Sequence, residues 1–579
     1  MRGKSAKRSD IITSLLILLF LLLYFGHFIQ ATGWDLVQHF MLVDELMKHG
    51  SVRPGALDRI GIMALYPPAA HWMAATIGWI GGSGLVGITI TTIIATYGCY
   101  LVITAFLGSK SSFATILFTG LFFLISGTNA LIGGEVIGNF LYPQLVADLA
   151  YLCALLLISK SPSDGTKALI ALGLGLGTMW IQPLIAIHIL AFGCVLMTVQ
   201  ALDGLRSRQS RIPLQLFILG FMVFGSAAIV TLHPALTIMR LVSGSDGTLE
   251  FGLRHIYPLS GLLVFVGIFN VWRYLKERTD FVDAVIGCAL IAAVGLAFLQ
   301  FSVWKFLGEG SAYAVKKHFF IIVTLGAIGV VRAIAGASFV KERTTFDVPF
   351  INPVAAGIMS FAILSHFNAP VRPFIDALNY ANHAARYQLA DFVPGNTVYD
   401  NHTRPLIENV MVSVTAFEHP FDKTASSWQT GAPIKDGAQF VMVARTPELE
   451  AQCRDRAAEG SAFMVIRPAC LKRYQLGQTL TFSSGGNGWA YTGDGWSVPS
   501  AAGTWTLGDI GAKLTLELAD PGRSANYRLA VDGLAYLGKE HPIQVVEVEV
   551  NGTKVAEWRF DLEHPAGRKT ADIPGSLLT

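Results

Sequence analysis

Between residues 11 and 367 the chain runs through one long apolar stretch after another, and no other feature restricts its fold so severely. Lipid offers no partner to a backbone N–H or C=O, so such a chain must cross the membrane as helices that satisfy their own backbone. A mean hydropathy of +0.50 with only 14% charged residues sets the 579-residue chain outside soluble averages. Residues 368–579 read as soluble sequence instead, so two solvents are implied.

Charge sorts the loops. Arg2, Lys4, Lys7 and Arg8 precede the first apolar segment, 11–30, and the positive-inside bias places them in the cytoplasm. A cleaved signal peptide is discounted, because no convincing small-x-small site follows and many more apolar segments do. The loops at 202–213, 273–280 and 332–343 are the other basic ones and belong on the same side, through Arg206, Arg273 and Arg332 among others. Counting spans between these loops puts Ser109 to Ser112 there too, which leaves one crossing at 84–107 and an in-plane helix at 66–82. Further spans near 113–131, 145–159, 166–180, 183–201, 214–232, 258–272, 282–301, 318–335 and 349–367 bring the total to about eleven. The run 168–202, with Gly173, Gly175, Gly177 and Pro183, reads as a broken pair of short helices whose glycines serve close packing. The outer loops are then 31–83, 132–144, 233–257 and 302–317.

Several chemistries are excluded. A net charge of +3, spread over loops, makes no nucleic-acid surface. There is no Walker-type loop, no Cys-x-x-Cys and no His-Glu-x-x-His, so nucleotide hydrolysis and thiolate or zincin metal sites are not indicated. Cys99, Cys153, Cys194 and Cys288 fall in apolar segments as small core residues. Cys453 and Cys470 lie in the soluble part, where an oxidising compartment would let them pair.

The soluble part opens with helical periodicity over Phe374 to Phe392 and passes through mixed sequence to Tyr474. Lys513 to Leu518, Val546 to Val550 and Val555 to Phe560 then alternate as strands, and Asn551-Gly552 between the last two is a hairpin signal. A β-sandwich over 476–579 is expected.

Polar residues of interest gather in the outer loops, where an ionisable group at the lipid boundary is costly unless paired or used. Asp35 and His39 share one face of an amphipathic helix over 34–49, directly after the first span; Asp35 could equally cap that helix. Arg59 and His71 flank the Tyr66-Pro67-Pro68 corner, with an ordinary interfacial histidine as the bland alternative for His71. Trp304-Lys305 and Tyr313-Ala314-Val315-Lys316-Lys317-His318 gather three cations and a histidine before an apolar span. That grouping suits a phosphate at the membrane surface, or snorkelling to headgroups. Glu135, Asn139, Tyr142, Gln144 and Asp148 either line a substrate groove or satisfy helix ends, and Trp489, Trp496 and Trp505 either stack on sugar rings or fill a sandwich core.

A first span, an outer loop opening on Trp34-Asp35 with an amphipathic helix, then Tyr66-Pro67-Pro68-Ala69-Ala70-His71-Trp72 and a long set of spans resembles the GT-C superfamily of polyprenyl-phosphate-dependent membrane glycosyltransferases. The resemblance covers 11–367 and implies a polytopic α-helical GT-C-like domain over 1–367. An extracytoplasmic mixed α/β segment over 368–475 and the 476–579 module would follow. The module, with Gly495-Trp496-Ser497 and Gly503-Thr504-Trp505, resembles β-sandwich modules appended to bacterial polysaccharide-building transferases. The family implies an inverting transfer of sugar from a polyprenyl-phosphate donor to a glycan or glycolipid acceptor. Asp35 would be general base, and Lys317, helped by Lys316 and His318 and by Arg59 and His71, would lie near the donor phosphate. His39, Tyr66, Glu135, Asn139, Tyr142 and Gln144 would line the groove. Oligosaccharyltransferase-type members bind a divalent metal through more acidic residues; here only Glu135, Asp148 and Asp246 are offered, so metal dependence stays open. The implied location is the inner membrane, with the C-terminal domain periplasmic or extracellular. A transporter or flippase of lipid-linked sugars and a non-catalytic scaffold of a polysaccharide assembly complex are the rival classes; internal repeats and midplane charges, expected of a transporter, are not found.

Overall fold

The computed structural model describes residues 2–26, 35–82, 84–206, 212–242, 249, 251–336 and 350–366, and, further on, 397–399, 440–444, 447–459, 463–483, 487–497, 503–508, 511–518 and 525–578. The chain divides into two compact units, one of Met1–Ala390 with Pro405–His419, the other of Asp391–Arg404 with Pro420–Thr579.

The first unit is helical. In chain order it runs through α1 (Arg2–Phe25), α2 (Asp35–His49), α3 (Ala56–Ile60), α4 (Ala69–Gly81), α5 (Gly84–Gly108), α6 (Ser112–Ile125), α7 (Gly134–Asn139), α8 (Tyr142–Lys160) and α9 (Asp164–Met179). It continues with α10 (Pro183–Arg206), α11 (Ile212–Leu232), α12 (Pro234–Val242), α13 (Ile256–Leu275), α14 (Phe281–Ser302), α15 (Ala312–Lys316), α16 (Phe319–Ala335) and α17 (Ile351–Ser365). Among the described residues, 7 helices are long and apolar enough to cross a membrane, counting Phe281–Leu307 and Ala312–Ala335 as single stretches. Ser9–Phe25, Ser112–Thr128 and Ile351–Ser365 are shorter apolar helices at positions also expected to span. The protein is a polytopic α-helical membrane protein.

Many of these helices start where a small polar side chain can take an orphan N–H. Ser111 accepts from Ala114 N, Ser163 from Thr166 N, Asp280 from Asp283 N and Ser311 from Ala314 N. Lipid-facing and central helices separate by burial, which is 83% for Ala312–Ala335 and 11% for α11. Glycines set the closest approaches: a Cβ on Gly87 of α5 would lie 1.9 Å from the Ala74 carbonyl oxygen of α4, and Gly267 and Gly287 bring α13 and α14 together in the same way. The glycine-rich run is a helix pair broken before Pro183, as read from the sequence, but its second arm, α10, is full length at 24 residues. Only Gly175 of the three glycines serves packing there, against Leu190; Gly173 and Gly177 face open space.

The loops sort to two ends of the bundle. At one end Arg332, fully buried, donates to Asp283 (2.5 Å), to Asp280 (2.8 Å), to the Ser109 hydroxyl and to the Phe106 carbonyl. Lys110 adds bonds to Asp280 (3.2 Å) and Asp283 (3.1 Å), and Arg206 donates to the Leu275 carbonyl. The four loops that charge assigned to one side therefore meet. At the other end Ala69 N reaches Trp180 O (3.0 Å), Gly252 N reaches Thr128 O (3.0 Å), and Lys316 Nζ reaches Leu249 O (2.8 Å). Between α1 and α5, α4 spans only 13 residues, roughly 20 Å, too short to cross a hydrocarbon core of about 30 Å. Trp79 Nε1 ties it to the Met47 carbonyl of α2 (2.9 Å).

The second unit holds a four-stranded sheet of order β1-β2-β4-β3, from β1 (Thr397–Tyr399), β2 (Phe440–Ala444), β3 (Arg456–Glu459) and β4 (Phe463–Ile466). Beside it Cys453 and Cys470 form a disulfide with Cα atoms 5.4 Å apart, packed with Met464, Ile466, Leu471 and Tyr491. The expected strand over 513–518 shrinks to β6 (Glu517–Leu518), paired in parallel with β5 (Arg473–Tyr474), and a bridge from Leu514 to Thr492. Two antiparallel ladders follow, β7 (Asn526–Leu534) with β10 (Ala566–Pro574) and β8 (Ile543–Val550) with β9 (Thr553–Asp561). The β8–β9 turn places Asn551 and Gly552 at φ of 49° and 80°, the left-handed pair that a tight hairpin needs. The helix expected over 374–392 lies outside the described residues.

Breaking a buried ion pair from one side leaves a stranded charge. Replacing Arg332 by Met should lower unfolding stability by about 3 kcal/mol, the low end of that penalty because Lys110 remains beside Asp283. The thermal midpoint of the solubilised chain should fall, and Arg332→Met with Asp283→Leu should recover most of it. An unchanged midpoint in the single variant would show that the clasp does not stabilise the bundle.

Candidate functional site

Asp35 is the first residue of α2, where a carboxylate complements the positive end of the helix. One turn on, His39 is buried and its Nδ1 lies 3.0 Å from His71 Nε2, in the first turn of α4. A bond between two imidazoles needs one ring to donate and the other to accept, so at least one is neutral. The Tyr66 and Tyr142 rings stand edge-on to His39 with centroids at 5.7 and 5.3 Å, and the same two rings flank His71 at 5.6 and 5.4 Å. The Pro67-Pro68 corner explains this convergence. It ends the short helical turn Gly61–Leu65, starts α4 one residue later and so sets Tyr66 and His71 on the same wall.

The opposite wall comes from the break between α15 and α16. Lys317 lies at that break, with Nζ 4.3 Å above the Tyr313 ring, and Gln144 of α8 holds its backbone carbonyl through Nε2 at 3.2 Å. Asp35 and Lys317 attract one another without a direct ion pair.

Electrostatics follow from burial. Desolvation pushes the Asp35 carboxyl above the usual range, with the Lys317 ammonium pulling the other way. Burial holds His39 well below the ordinary imidazole value, helped by His71 and Lys317, and takes His71 down to about 3. Burial, followed by the Asp35 charge, raises the Tyr66 phenol, and Gln182 hydrogen-bonds to it. The pocket therefore presents neutral rings around one carboxylate and one ammonium.

Of the residues expected from the sequence, Asp35, His39, Tyr66, His71, Tyr142 and Lys317 come together, with Gln144 supporting Lys317 from behind. Lys316 is bound to the Leu249 carbonyl, and His318 pairs with His188 of α10 at 2.8 Å. Glu135 is fully buried, accepts Gly133 N–H at 2.7 Å and faces Asp148; Asn139 ends α7, half-buried. Burial raises the Glu135 carboxyl to about 7. Arg59 falls on α3, its side chain outside the described part, as are the Trp489 side chain, Trp34 and Asp246. In the second unit Trp496 stacks on Phe482 at 5.2 Å and donates to Lys513 O, while Trp505 is half-exposed and edge-on to Tyr536 at 6.3 Å. Among the described residues no three His, Cys, Asp or Glu side chains gather to hold a metal ion.

Two members of the pocket were not in the expected set. Tyr313 sits one helical turn before Lys317 and could have been found by that spacing. Gln182 is the polar residue in the break before Pro183, and only the tertiary fold brings it to Tyr66.

No family model matches the chain, and no curated protein matches it. Among the solved structures it matches are two of ArnT from Cupriavidus metallidurans. The first, in the apo state, has 13% identity and a TM-score of 0.40, covering 80% of this chain and 98% of that one. The second, bound to undecaprenyl phosphate, has 13% identity and a TM-score of 0.35, covering 79% and 97%.

The buried histidine pair has a consequence for stability. Unfolded histidine takes a proton near 6.5, whereas folded His71 does so only at about 3, so between these values the unfolded state binds more protons and stability falls as pH falls. The thermal midpoint should therefore drop on acidification below pH 6.5. The His39→Phe with His71→Phe double variant should show a shallower drop, and a wild-type slope in that variant would contradict the burial assigned to the pair.

Proposed function

We propose that this chain is an inverting glycosyltransferase of the membrane, moving a sugar from a polyprenyl-phosphate donor to a hydroxyl of an extracytoplasmic glycan or glycolipid. The observation that carries this reading is that Asp35 and Lys317 interact electrostatically without an ion pair, beside the buried His39–His71 pair and its tyrosines.

In this mechanism the donor phosphate rests against Lys317, a point charge on a fixed carbonyl anchor. Asp35, ionised, takes the proton of the acceptor hydroxyl as its oxygen attacks the anomeric carbon. The bond from that carbon to the phosphate oxygen breaks on the opposite face with its electron pair, and Lys317 stabilises the growing charge. Tyr66, Tyr142 and the two histidines form neutral walls that limit competing water and favour a sugar ring edge. The site belongs to the outer loops, so the sugar arrives already lipid-linked. The second unit would hold the growing glycan, with half-exposed Trp505 and the neighbouring exposed Tyr536 its available rings.

Asp35→Asn should lose about 10²- to 10⁴-fold in transfer, the span of a general base. Lys317→Gln should lose about 10²- to 10³-fold, the worth of one charge stabiliser. Both losses should be seen with a panel of polyprenyl-phosphate sugars and, in cells, as a glycan residue missing by mass spectrometry. Because the raised Asp35 must be ionised to act, activity should fall on acidification with a midpoint above 3.8. Full transfer by Asp35→Asn, folded and inserted, would refute the mechanism.

A further inference from the structure

The mechanism leaves a set of buried polar side chains around α8 unused. Asp148 of α8 faces Glu135, and Tyr151, nearly one turn further along the same face, adjoins Asp148. The Tyr151 ring lies 6.0 Å from the His188 ring, and His188 Nε2 is 2.8 Å from His318 Nδ1. His318 directly follows Lys317. All five side chains are at most 3% exposed. Both Asp148 oxygens, Glu135 Oε1, the Tyr151 hydroxyl, His188 Nδ1 and His318 Nε2 find no donor or acceptor in the protein.

Each such atom left without a shared proton or a water costs about 1–3 kcal/mol in a dry interior, more than a marginally stable fold can carry several times over. Water satisfies groups of this kind where the wall is polar on several sides. No lysine or arginine ion-pairs with the two carboxyls among the described residues. Two facing carboxylates in a dry site repel strongly, so the contact is a hydrogen bond only if a proton is shared.

We infer that this string is a buried proton pathway. The Glu135–Asp148 pair stores one proton and exchanges it through water, Tyr151 and the His188–His318 pair with the pocket at Lys317. Phenol, imidazole and carboxyl each both donate and accept, so the string passes a proton and excludes larger cargo. Its use in catalysis rests on the transfer reading above. There the acceptor O–H bond breaks, the new C–O bond forms and the phosphate leaves with the electron pair. The departing phosphate then takes a proton from the pathway, which is replenished by the one released from Asp35.

Infrared spectroscopy of the purified full chain tests the pathway without turnover. At neutral pH the wild type should show a protonated-carboxyl carbonyl band that disappears in Glu135→Gln with Asp148→Asn. In D2O that band should exchange, and His188→Phe or Tyr151→Phe, with the carboxyl pair intact and a cooperative unfolding transition retained, should slow the exchange several-fold. Asp35→Asn should leave both band and exchange as in wild type, which separates the pathway from the transfer mechanism. Absence of the band, or wild-type exchange in both the His188 and Tyr151 variants, overturns the pathway. Slowed exchange with full turnover on polyprenyl-phosphate sugars would overturn its catalytic use alone.

Discussion

A carboxylate and an ammonium that attract each other without forming an ion pair organise one end of the helical unit. Asp35 is placed by the start of α2 and Lys317 by the break between α15 and α16, two elements nearly three hundred residues apart. Each is fixed from behind. Asp35 rides on a helix whose next turn is locked through His39 to His71, and Lys317 has its carbonyl held by Gln144. If the two charges could close on one another, the pocket would collapse into a stable ion pair with nothing left to offer a substrate. In the proposed mechanism the lack of an ion pair keeps that electrostatic energy available for charge that develops later.

The opposite end shows what buried charge does when it serves structure alone. Arg332 donates four hydrogen bonds, to Asp280, Asp283, Ser109 and the Phe106 carbonyl, and Lys110 completes the neutralisation. Three chain segments are stitched there. Both ends contain ionisable groups at the membrane boundary, where neither is tolerated without reason. Satisfied geometry marks the clasp, and unsatisfied geometry marks the site.

Much of this was legible in the sequence. Hydropathy located the long apolar helices, and the loops grouped by basic charge do meet at one end of the bundle, because lipid enforces both rules strongly; the short helices between them carry no such signal. Asp35 and His39 announced themselves by position, and the Pro67-Pro68 corner by its residue type. The partners were less legible. Nothing local says that His39 bonds to His71 and not to the carboxylate beside it, that Lys316 turns to Leu249 while its neighbour stays in the pocket, or that His318 faces His188. These choices are made by helix rotation, which depends on packing across distant segments. Strand extent failed for a related reason: alternation over Lys513 to Leu518 promises a strand, but a strand needs a neighbour, and only Glu517–Leu518 finds one in β5.

Rigidity connects the packing to the chemistry. A misplacement of about 1 Å costs on the order of 10²-fold in rate, so the walls of such a pocket must not drift. His71 sits on α4, a helix too short to be anchored by crossing the membrane. Its position is instead set by contact with α5, where Gly87 lets the Ala74 carbonyl approach closer than any side chain would allow, and by Trp79 gripping α2. The glycine and the tryptophan carry no chemistry of their own. They convert the fixed frame of the spanning helices into a fixed place for an imidazole, and through it for the helix that begins with Asp35.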